Sequence, residues 1–195
     1  MRIALCSDEP YPVHGTVRRW LEEHGHQVVP FGSVAAGSET PWALAAESAA
    51  ESVARGDCDQ GVFFCWTGTG ISIAANKISG IRAALCSDPG QAEGARVWNH
   101  ANVLCLSNRT LADDLAKEIL TAWFGAALDG RGDAGVDDLN AVEARHRSGR
   151  SAAMYGVRGG ADEKDGSAQE HRVEWQRDGK DKAADESDRR DDSAT

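Results

Sequence analysis

Five short runs of apolar residues mark the first part of the chain, and longer segments of mixed polarity separate them. The runs are RIALCS (2–7), QVVPF (27–31), QGVFFC (60–65), IRAALCS (81–87) and NVLCLS (102–107). Apolar runs without regular alternation are typical of strands that helices cover on both faces. The pattern therefore predicts five buried, parallel strands.

The segments between these runs have helical patterns with recognisable ends. Gly25, Gly56 and Gly125 each close such a segment, as glycine commonly does at a helix C-terminus, and Pro41 suits a first helical turn. Strands that alternate with helices through short loops predict a three-layer, doubly wound α/β fold of the Rossmann-like type. We expect a five-stranded parallel sheet with a flavodoxin-like strand order.

In such a sheet, ligands bind beyond the carboxyl ends of the strands. Asp8, Cys65, Ser87 and Ser107 all fall at those ends. Their clustering follows from the topology, so it marks a rim of the sheet and does not by itself establish a site.

The composition of the chain changes near residue 140. After Leu139 the sequence has no Leu, Ile or Phe and becomes a mixed-charge stretch rich in Gly, Ser, Asp and Arg. Such a segment cannot bury enough apolar surface to offset its conformational entropy. We therefore predict an α/β domain over residues 1–144 and a disordered tail over residues 145–195.

The overall charge excludes two classes of partner. The formal net charge is −10, so the chain has no basic field that would attract nucleic acid or an anionic membrane. No apolar run approaches the ~20 residues of a spanning helix, and we expect a cytoplasmic protein. The five cysteines include no CxxC pair, and Cys6, Cys86 and Cys105 lie in strand-like runs. We expect reduced core thiols and no metal site.

A glycine-rich turn, FCWTGTGISIAANK (64–77), follows the third apolar run. It is not a phosphate-binding P-loop, because Lys77 comes seven residues after Gly70 and Ile78 follows it. It fits a dinucleotide fingerprint poorly, because Ile73 stands where the third glycine belongs.

The turn predicts a strand that ends in Cys65 and leads into a helix, with Ser72 as the helix N-cap. A thiol beside a helix N-terminus has a stabilised thiolate, which suits it to act as base or nucleophile. The alternative is a buried strand-end cysteine that precedes an ordinary glycine turn.

The segment from Cys65 to Cys86 reads C-x-T-G-x-G-x-S-I-A-A-N-K-x-x-G-I-R-A-A-L-C. It resembles the type B ribose-5-phosphate isomerase family, which includes the galactose-6-phosphate isomerase subunits. The resemblance covers about residues 1–128. It continues in WNHANVLCLSNR (98–109), which is similar to the family's H-N-x-x-N-x-x-x-x-G-x-R segment through Asn99, Asn102 and Arg109.

The resemblance implies an aldose–ketose isomerase that moves a proton between C1 and C2 of an open-chain sugar phosphate, without metal or cofactor. Cys65 matches the cysteine base of one branch of the family, and Ile71 stands where another branch has a Glu. Thr67 would contact substrate hydroxyls or orient the thiol. The backbone amides that would stabilise the enediolate oxygen are those of Gly68, Thr69, Gly70, Ile71 and Ser72.

Further roles follow from the same resemblance. Asp8 matches an Asp that binds sugar hydroxyls, and Arg109 matches an Arg that holds phosphate. Family members are homodimers, or tetramers, whose sites take a His-Asn pair from the partner subunit. Asn99 matches the second residue of that pair.

The chain departs from the family at four places. Glu9 replaces a histidine, and Trp98 replaces the histidine that opens the sugar ring. The segment TPWA (40–43) does not match the usual Tyr-Pro, and the phosphate-clamping Arg pair has no counterpart after residue 132 unless Arg145 or Arg147 reaches back. His100, next to Asn99, is a candidate replacement for acid–base work.

Two function hypotheses remain open. The first is a sugar-phosphate isomerase that acts on ribose 5-phosphate or on a shorter, four-carbon sugar phosphate. The second is a non-catalytic partner subunit of a hetero-oligomeric isomerase.

Other aromatic residues and histidines have simpler interpretations. We expect Trp20 and Trp123 to pack in the core or at an interface, and Trp66 and Trp98 to line the pocket. The histidines predicted to be solvated or at helix ends are His14, His24 and His26.

Overall fold

The computed structural model describes residues 1–147, and in them five parallel strands form one sheet. The strands are β1 (Arg2–Ser7), β2 (Gln27–Gly32), β3 (Gln60–Cys65), β4 (Ala83–Leu85) and β5 (Val103–Ser107). All five strands fall within the predicted runs or extend them by one residue. The predicted fold class is confirmed.

Within residues 1–147, seven helices connect or follow the strands. They are α1 (Pro12–Glu23), α2 (Ser33–Ala36), α3 (Trp42–Ala54), α4 (Thr69–Ala75), α5 (Pro89–Asn99), α6 (Asp113–Gly125) and α7 (Asp133–Arg147). The sequence pattern did not predict α2, which has only four residues, or α7. The apolar side chains of α7 that signal a helix are few, namely Val136, Leu139 and Val142.

The strand order is β2-β1-β3-β5-β4. A flavodoxin-like order has the fourth strand next to the third, so the prediction is wrong for the last two strands. β5 is buried along Val103–Leu106, whereas the three residues of β4 are only half-buried or exposed. The longer, more apolar strand therefore takes the inner position, and the short strand closes the edge.

The core divides between the two faces of the sheet. Side chains of Ile3, Leu5 and Phe64 pack with α1, α5 and α6 on one face. Side chains of Phe63 and Cys65 pack with α3 and α4 on the other face. Because successive side chains of a strand point to opposite faces, strands covered on both sides must be apolar throughout, as the sequence predicts.

The C-terminal boundary of the folded domain lies further along the chain than the predicted residue 144. Residues 145–147, which the composition assigns to the tail, belong to α7. The rest of the predicted tail lies outside the described residues. Within residues 1–147 no helix is both long and apolar enough to cross a membrane.

A buried hydrogen bond links α6 to the start of β3, and it gives a test of the core. Trp123 Nε1 donates to Gln60 Oε1 at 2.7 Å, and both side chains are buried. We expect Trp123→Phe to lower the free energy of unfolding by about 1–3 kcal/mol, because the Gln60 oxygen is left without a donor. The measurement is urea denaturation. The double variant Trp123→Phe/Gln60→Leu should recover part of the loss, and equal stability of the single variant and wild type would contradict this role.

Candidate active site

The carboxyl ends of three central strands bring the predicted rim residues together. Ser7 pairs with Phe64 between β1 and β3, and Cys65 pairs with Ser107 between β3 and β5. Asp8 directly follows Ser7, the last residue of β1, as Cys65 follows Phe64 in β3, and these two strands are neighbours, spaced about 4.8 Å apart. The sheet therefore brings Asp8, Cys65 and the segment after Ser107 to one edge.

Gly68 shapes the turn between β3 and α4. Its φ of +76° is left-handed, and a Cβ there would lie 2.5 Å from Leu85 Cδ1 and 3.0 Å from the Leu106 carbonyl carbon. Glycine is the residue that meets both conditions. The Gly68 amide donates to the Cys65 carbonyl at 3.2 Å, so the turn closes directly on the candidate base.

The helix cap differs from the prediction. Gly68 is the N-cap of α4 and Ser72 lies inside the helix, so the prediction of Ser72 as N-cap is wrong. The reason is that the left-handed Gly68 starts the helix one turn earlier. The Ser72 amide donates to the Gly68 carbonyl at 3.3 Å. The amides of Gly68 and Ser72 thus both donate to backbone carbonyls, one in the turn and one in α4, so neither is free to bind a substrate oxygen.

Three amides of the loop remain for a substrate oxygen. The first amides of a helix have no acceptor inside it, and in α4 these belong to Thr69, Gly70 and Ile71. The side chain of Ile71 is fully buried in the core, so only its backbone can reach a ligand. The hydroxyl of Thr67 lies 2.6 Å from that of Thr69. The loop therefore presents N–H groups and a pair of hydroxyls at the rim.

Cys65 differs from the other buried cysteines in its position. It is 5% exposed, at the strand end, while Cys6 and Cys105 lie deeper on the same face. Burial raises the pKa of the Cys6 and Cys105 thiols well above the usual range, and for Cys6 the charge of Asp8 adds to this. Burial likewise raises the pKa of Cys86 to about 11. These three cysteines are buried free thiols, as predicted, whereas Cys65 is the last residue of β3, just before the turn that begins α4.

Asp8 is a buried carboxylate with an unsatisfied oxygen. Its side chain is 9% exposed, and its Oδ1 and the Oγ1 of Thr40 are both buried without a hydrogen-bond partner. The Thr40 amide donates to the Asp8 carbonyl at 2.8 Å, which holds the two residues together. Burial, and then the charge of Glu9, raise the pKa of Asp8 to about 6. Two buried polar atoms of this kind are suited to a ligand hydroxyl.

Arg109 extends from the segment after β5. Its guanidinium Cζ lies 6.0 Å from the centre of the half-buried Trp66 ring, and its amide donates to the Trp66 carbonyl at 3.1 Å. Among residues 1–147 no carboxylate forms an ion pair with Arg109. Arg109 is thus a solvent-facing cation at the same edge as Cys65.

The other predicted site residues lie near the amino ends of the strands, opposite Cys65. They are Trp98, Asn99 and His100. α5 ends at Asn99, before β5 begins at Val103, whereas Cys65 lies beside the end of β5. The length of β5 separates the two edges by roughly 15 Å. Within one chain the structure does not bring Trp98, Asn99 or His100 together with Cys65.

The Trp98 segment has its own polar neighbours. Trp98 is 51% exposed, and the guanidinium Cζ of Arg131 lies 5.2 Å from the centre of its ring. His100 Nε2 lies 3.3 Å from Asp133 Oδ1 at the start of α7. Arg131 was not among the predicted site residues, and its one local signal is a cation between two glycines, Gly130 and Gly132.

Trp42 lies at the same end of the sheet as Cys65, and it too was not among the predicted site residues. Its indole lies over the α4 loop, because a Cβ on Gly70 would be 3.3 Å from Trp42 Cε3, and the indole is 46% exposed. In the sequence this segment stands out only as a departure from the family pattern. Among the described residues, no group of three or more His, Cys, Asp or Glu side chains could hold a metal ion.

Comparison with known proteins identifies the family of this chain. The sequence model of the Ribose/Galactose Isomerase family matches residues 3–139. The chain belongs to this family. It is 41% identical over 126 residues to ribose-5-phosphate isomerase B of Escherichia coli, an alignment that covers 64% of this chain and 84% of the relative. It is 36% identical to D-erythrulose-4-phosphate isomerase of Pectobacterium atrosepticum over 69% of this chain and 89% of that protein.

A solved structure of the Ribose/Galactose Isomerase family has the same fold. Ribose-5-phosphate isomerase B of Clostridium thermocellum superposes with a TM-score of 0.68 at 34% identity, over 75% of this chain and 99% of that one. The predicted family and the predicted activity class, an aldose–ketose isomerase of sugar phosphates, are confirmed.

The buried Asp8 leads to a prediction about stability and pH. Because the pKa of Asp8 is about 6 in the folded protein and near 3.8 in a model peptide, the folded state binds more protons between these values. The stability of the wild type therefore falls as the pH rises through this window. We expect Asp8→Asn to raise the free energy of unfolding at pH 7 by about 1–2 kcal/mol, after allowance for solvent screening at the rim.

Denaturation at several pH values tests this expectation. The gain from Asp8→Asn should shrink towards zero as the pH falls from 6 to about 4. Glu47→Gln, an exposed substitution on α3, is the control and should change stability by less than about 0.5 kcal/mol. A gain that is independent of pH would contradict the assignment to Asp8 ionisation.

Proposed function

We propose that the chain isomerises ribose 5-phosphate to ribulose 5-phosphate, or an equivalent short aldose phosphate, with Cys65 as the general base. The observation that carries the proposal is the position of Cys65 at the end of β3, beside the end of β1, which Asp8 follows, and just before the turn whose amides begin α4. A thiol in this setting has donors nearby that stabilise negative charge.

The proposed chemistry is a proton transfer between neighbouring carbons. The Cys65 thiolate takes the proton from C2 of the open-chain aldose and returns it to C1, while the hydroxyl proton moves from O2 to O1. The amides of Thr69, Gly70 and Ile71 stabilise the enediolate oxygen, which is the charge that develops in the transition state. Thr67 contacts the hydroxyl that exchanges its proton, and Asp8 accepts from a hydroxyl further along the chain. The reaction as proposed uses neither metal nor cofactor.

The proposed site needs a second copy of the chain. Trp98 and Asn99 lie at the other edge of the sheet from Cys65, so one chain cannot supply both halves. A homodimer, or a tetramer of such dimers, in which one copy lends Trp98, Asn99 and Arg131 to the other would complete the site. Arg131 would then supply a cation opposite Arg109 for the substrate phosphate.

A second candidate substrate class is supported by Trp98. An indole donates one hydrogen bond but cannot accept or relay a proton, so it cannot open a furanose ring. A tetrose with phosphate on O4 has no hydroxyl that closes a five-membered ring, and it reaches the site already linear. The relative named D-erythrulose-4-phosphate isomerase, 36% identical to this chain, adds support for a four-carbon substrate.

The base is tested by Cys65→Ala. We expect a loss of at least ~10²-fold in kcat, the usual scale for removal of a general base, measured as aldose–ketose conversion. Deuterium exchange from labelled water into the substrate C–H should be lost in parallel. Cys58→Ala, which removes a buried thiol before β3, is the control and should keep activity.

Two results would contradict this proposal. Full turnover by Cys65→Ala would exclude the thiol as base. Absence of C–H exchange with all four- to six-carbon sugar phosphates in the wild type would favour the non-catalytic partner subunit instead.

The substrate class is tested by steady-state kinetics on tetrose and pentose phosphates. We expect a higher kcat/KM for four-carbon sugar phosphates than for ribose 5-phosphate, because Trp98 narrows the site and supplies no ring-opening group. Trp98→His should raise kcat/KM for ribose 5-phosphate.

His100 offers a competing explanation that the same assay separates. If His100 opens the ring, His100→Ala should lower pentose turnover and leave tetrose turnover unchanged. Efficient turnover of ribose 5-phosphate by the wild type that does not depend on His100 would refute both accounts, and spontaneous ring opening would then suffice.

A further inference from the structure

A buried polar pair lies beneath the rim, and the proposed chemistry does not use it. His14 lies in the first turn of α1, as the helix-end alternative of the prediction has it, and its ring is buried, at 7% exposed, so the solvated alternative does not hold. Asn108, which follows β5, is 6% exposed. His14 Nε2 lies 2.7 Å from Asn108 Oδ1. The sequence separation of 94 residues explains why no local pattern indicates the contact.

The surrounding hydrogen bonds assign the direction of each contact. The Tyr11 amide donates to His14 Nδ1 at 3.3 Å, so this nitrogen is the acceptor and the proton is on Nε2. His14 Nε2 therefore donates to Asn108 Oδ1. The Asn108 Nδ2 group then donates to Ser7 Oγ at 3.2 Å. Burial lowers the pKa of His14, partly opposed by the Asn108 hydrogen bond, and this keeps the ring in the neutral form that the pattern requires.

Asn108 connects this network to the candidate site. Its backbone amide donates to the Cys65 carbonyl at 2.9 Å, and the next amide, of Arg109, donates to the Trp66 carbonyl. The segment after β5 is thus attached to the segment after β3 by its backbone, and to β1 and α1 by the Asn108 side chain. Asn108 therefore joins three chain segments that carry rim residues.

A row of rings connects His14 to Arg109 by a second path. The His14 ring lies 4.7 Å from the Phe64 ring and 6.2 Å from the Tyr11 ring. Tyr11 lies 6.3 Å from Trp66, and the Arg109 guanidinium lies over Trp66. His14 thus supports Arg109 through the backbone of Asn108 and also through Tyr11 and Trp66.

We propose that His14 and Asn108 form a positioning pair that fixes the Arg109 guanidinium at the rim. The inference deepens the proposed function and rests on its assignment of Arg109 to the substrate phosphate. Neither His14 nor Asn108 touches substrate. Loss of their hydrogen bond therefore raises KM for a phosphorylated sugar and leaves kcat, which depends on Cys65, nearly unchanged.

A matched pair of variants tests the hydrogen bond. His14→Leu fills the site without a donor, whereas His14→Gln keeps an N–H near the position of Nε2. We expect His14→Leu to raise KM about tenfold with kcat within about twofold of wild type, and His14→Gln to restore most of KM. His24→Leu, at the exposed end of α1, is the control and should leave both constants unchanged. A His14→Gln variant as defective as His14→Leu would overturn the proposal.

A double-mutant cycle tests the route through Arg109. In the Arg109→Ala background, His14→Leu should have no further effect on KM, because the group that it positions is absent. Effects that simply add, or an unchanged KM in the His14→Leu single variant, would show that His14 does not act through Arg109.

Nuclear magnetic resonance provides a readout that does not depend on turnover. The Arg109 side-chain N–H signal, assigned with Arg109→Lys, should carry a ring-current shift from Trp66 that His14→Leu removes. A signal that does not move overturns the positioning role, whichever sugar the protein isomerises. If no sugar phosphate is isomerised, the proposed function fails while this measurement still decides the positioning pair.

The wild type alone provides a further check in case His14→Leu does not fold. Its ¹⁵N shifts should show His14 as the Nε2-protonated tautomer. The opposite tautomer would reverse the hydrogen bonds and overturn the proposal.

Discussion

Parallel pairing of β1, β3 and β5 in one register is the constraint on which the candidate site depends. The register brings Asp8 and Cys65 to the same level of the carboxyl edge, and it directs Cys65 to the face covered by α3 and α4. A slip of one residue would turn every side chain of a strand to the other face. Since both faces are buried, the core packing that fixes the register also fixes the positions of Asp8 and Cys65 at the carboxyl ends of the strands.

Two polar side chains at or beneath the rim, Asp8 and His14, are buried although this does not stabilise the fold in their ionised forms. Asp8 is a buried carboxylate whose pKa is raised by its surroundings, and its Oδ1 has no partner. His14 is a buried imidazole whose pKa is lowered. Each is less stable in its ionised form inside the fold than in water, and proteins retain such groups mainly where they serve a function.

The two halves of the proposed site lie at opposite edges of one sheet. Cys65 and Arg109 are at the carboxyl edge, whereas Trp98 and Arg131 are beyond the amino end of β5. No movement of side chains spans the length of a strand, so the proposed reaction depends on a second copy. In the proposed assembly the half-exposed Trp98 indole, whose ring lies under the Arg131 guanidinium, would contribute to an interface as well as to a pocket.

The sequence by itself determined the strands, the fold class and the presence of a turn after Cys65, because burial and turn formation depend on local residue type. It did not determine that the N-cap of the helix after this turn is Gly68 and not Ser72. It did not determine which strand is central, since β4 and β5 are both apolar and only packing shows that β5 fits beside β3. Nor did it indicate that Trp42 covers Gly70 or that His14 meets Asn108. Such contacts join residues far apart in the chain. Each partner alone has an ordinary local pattern, so only the tertiary structure could decide that they meet.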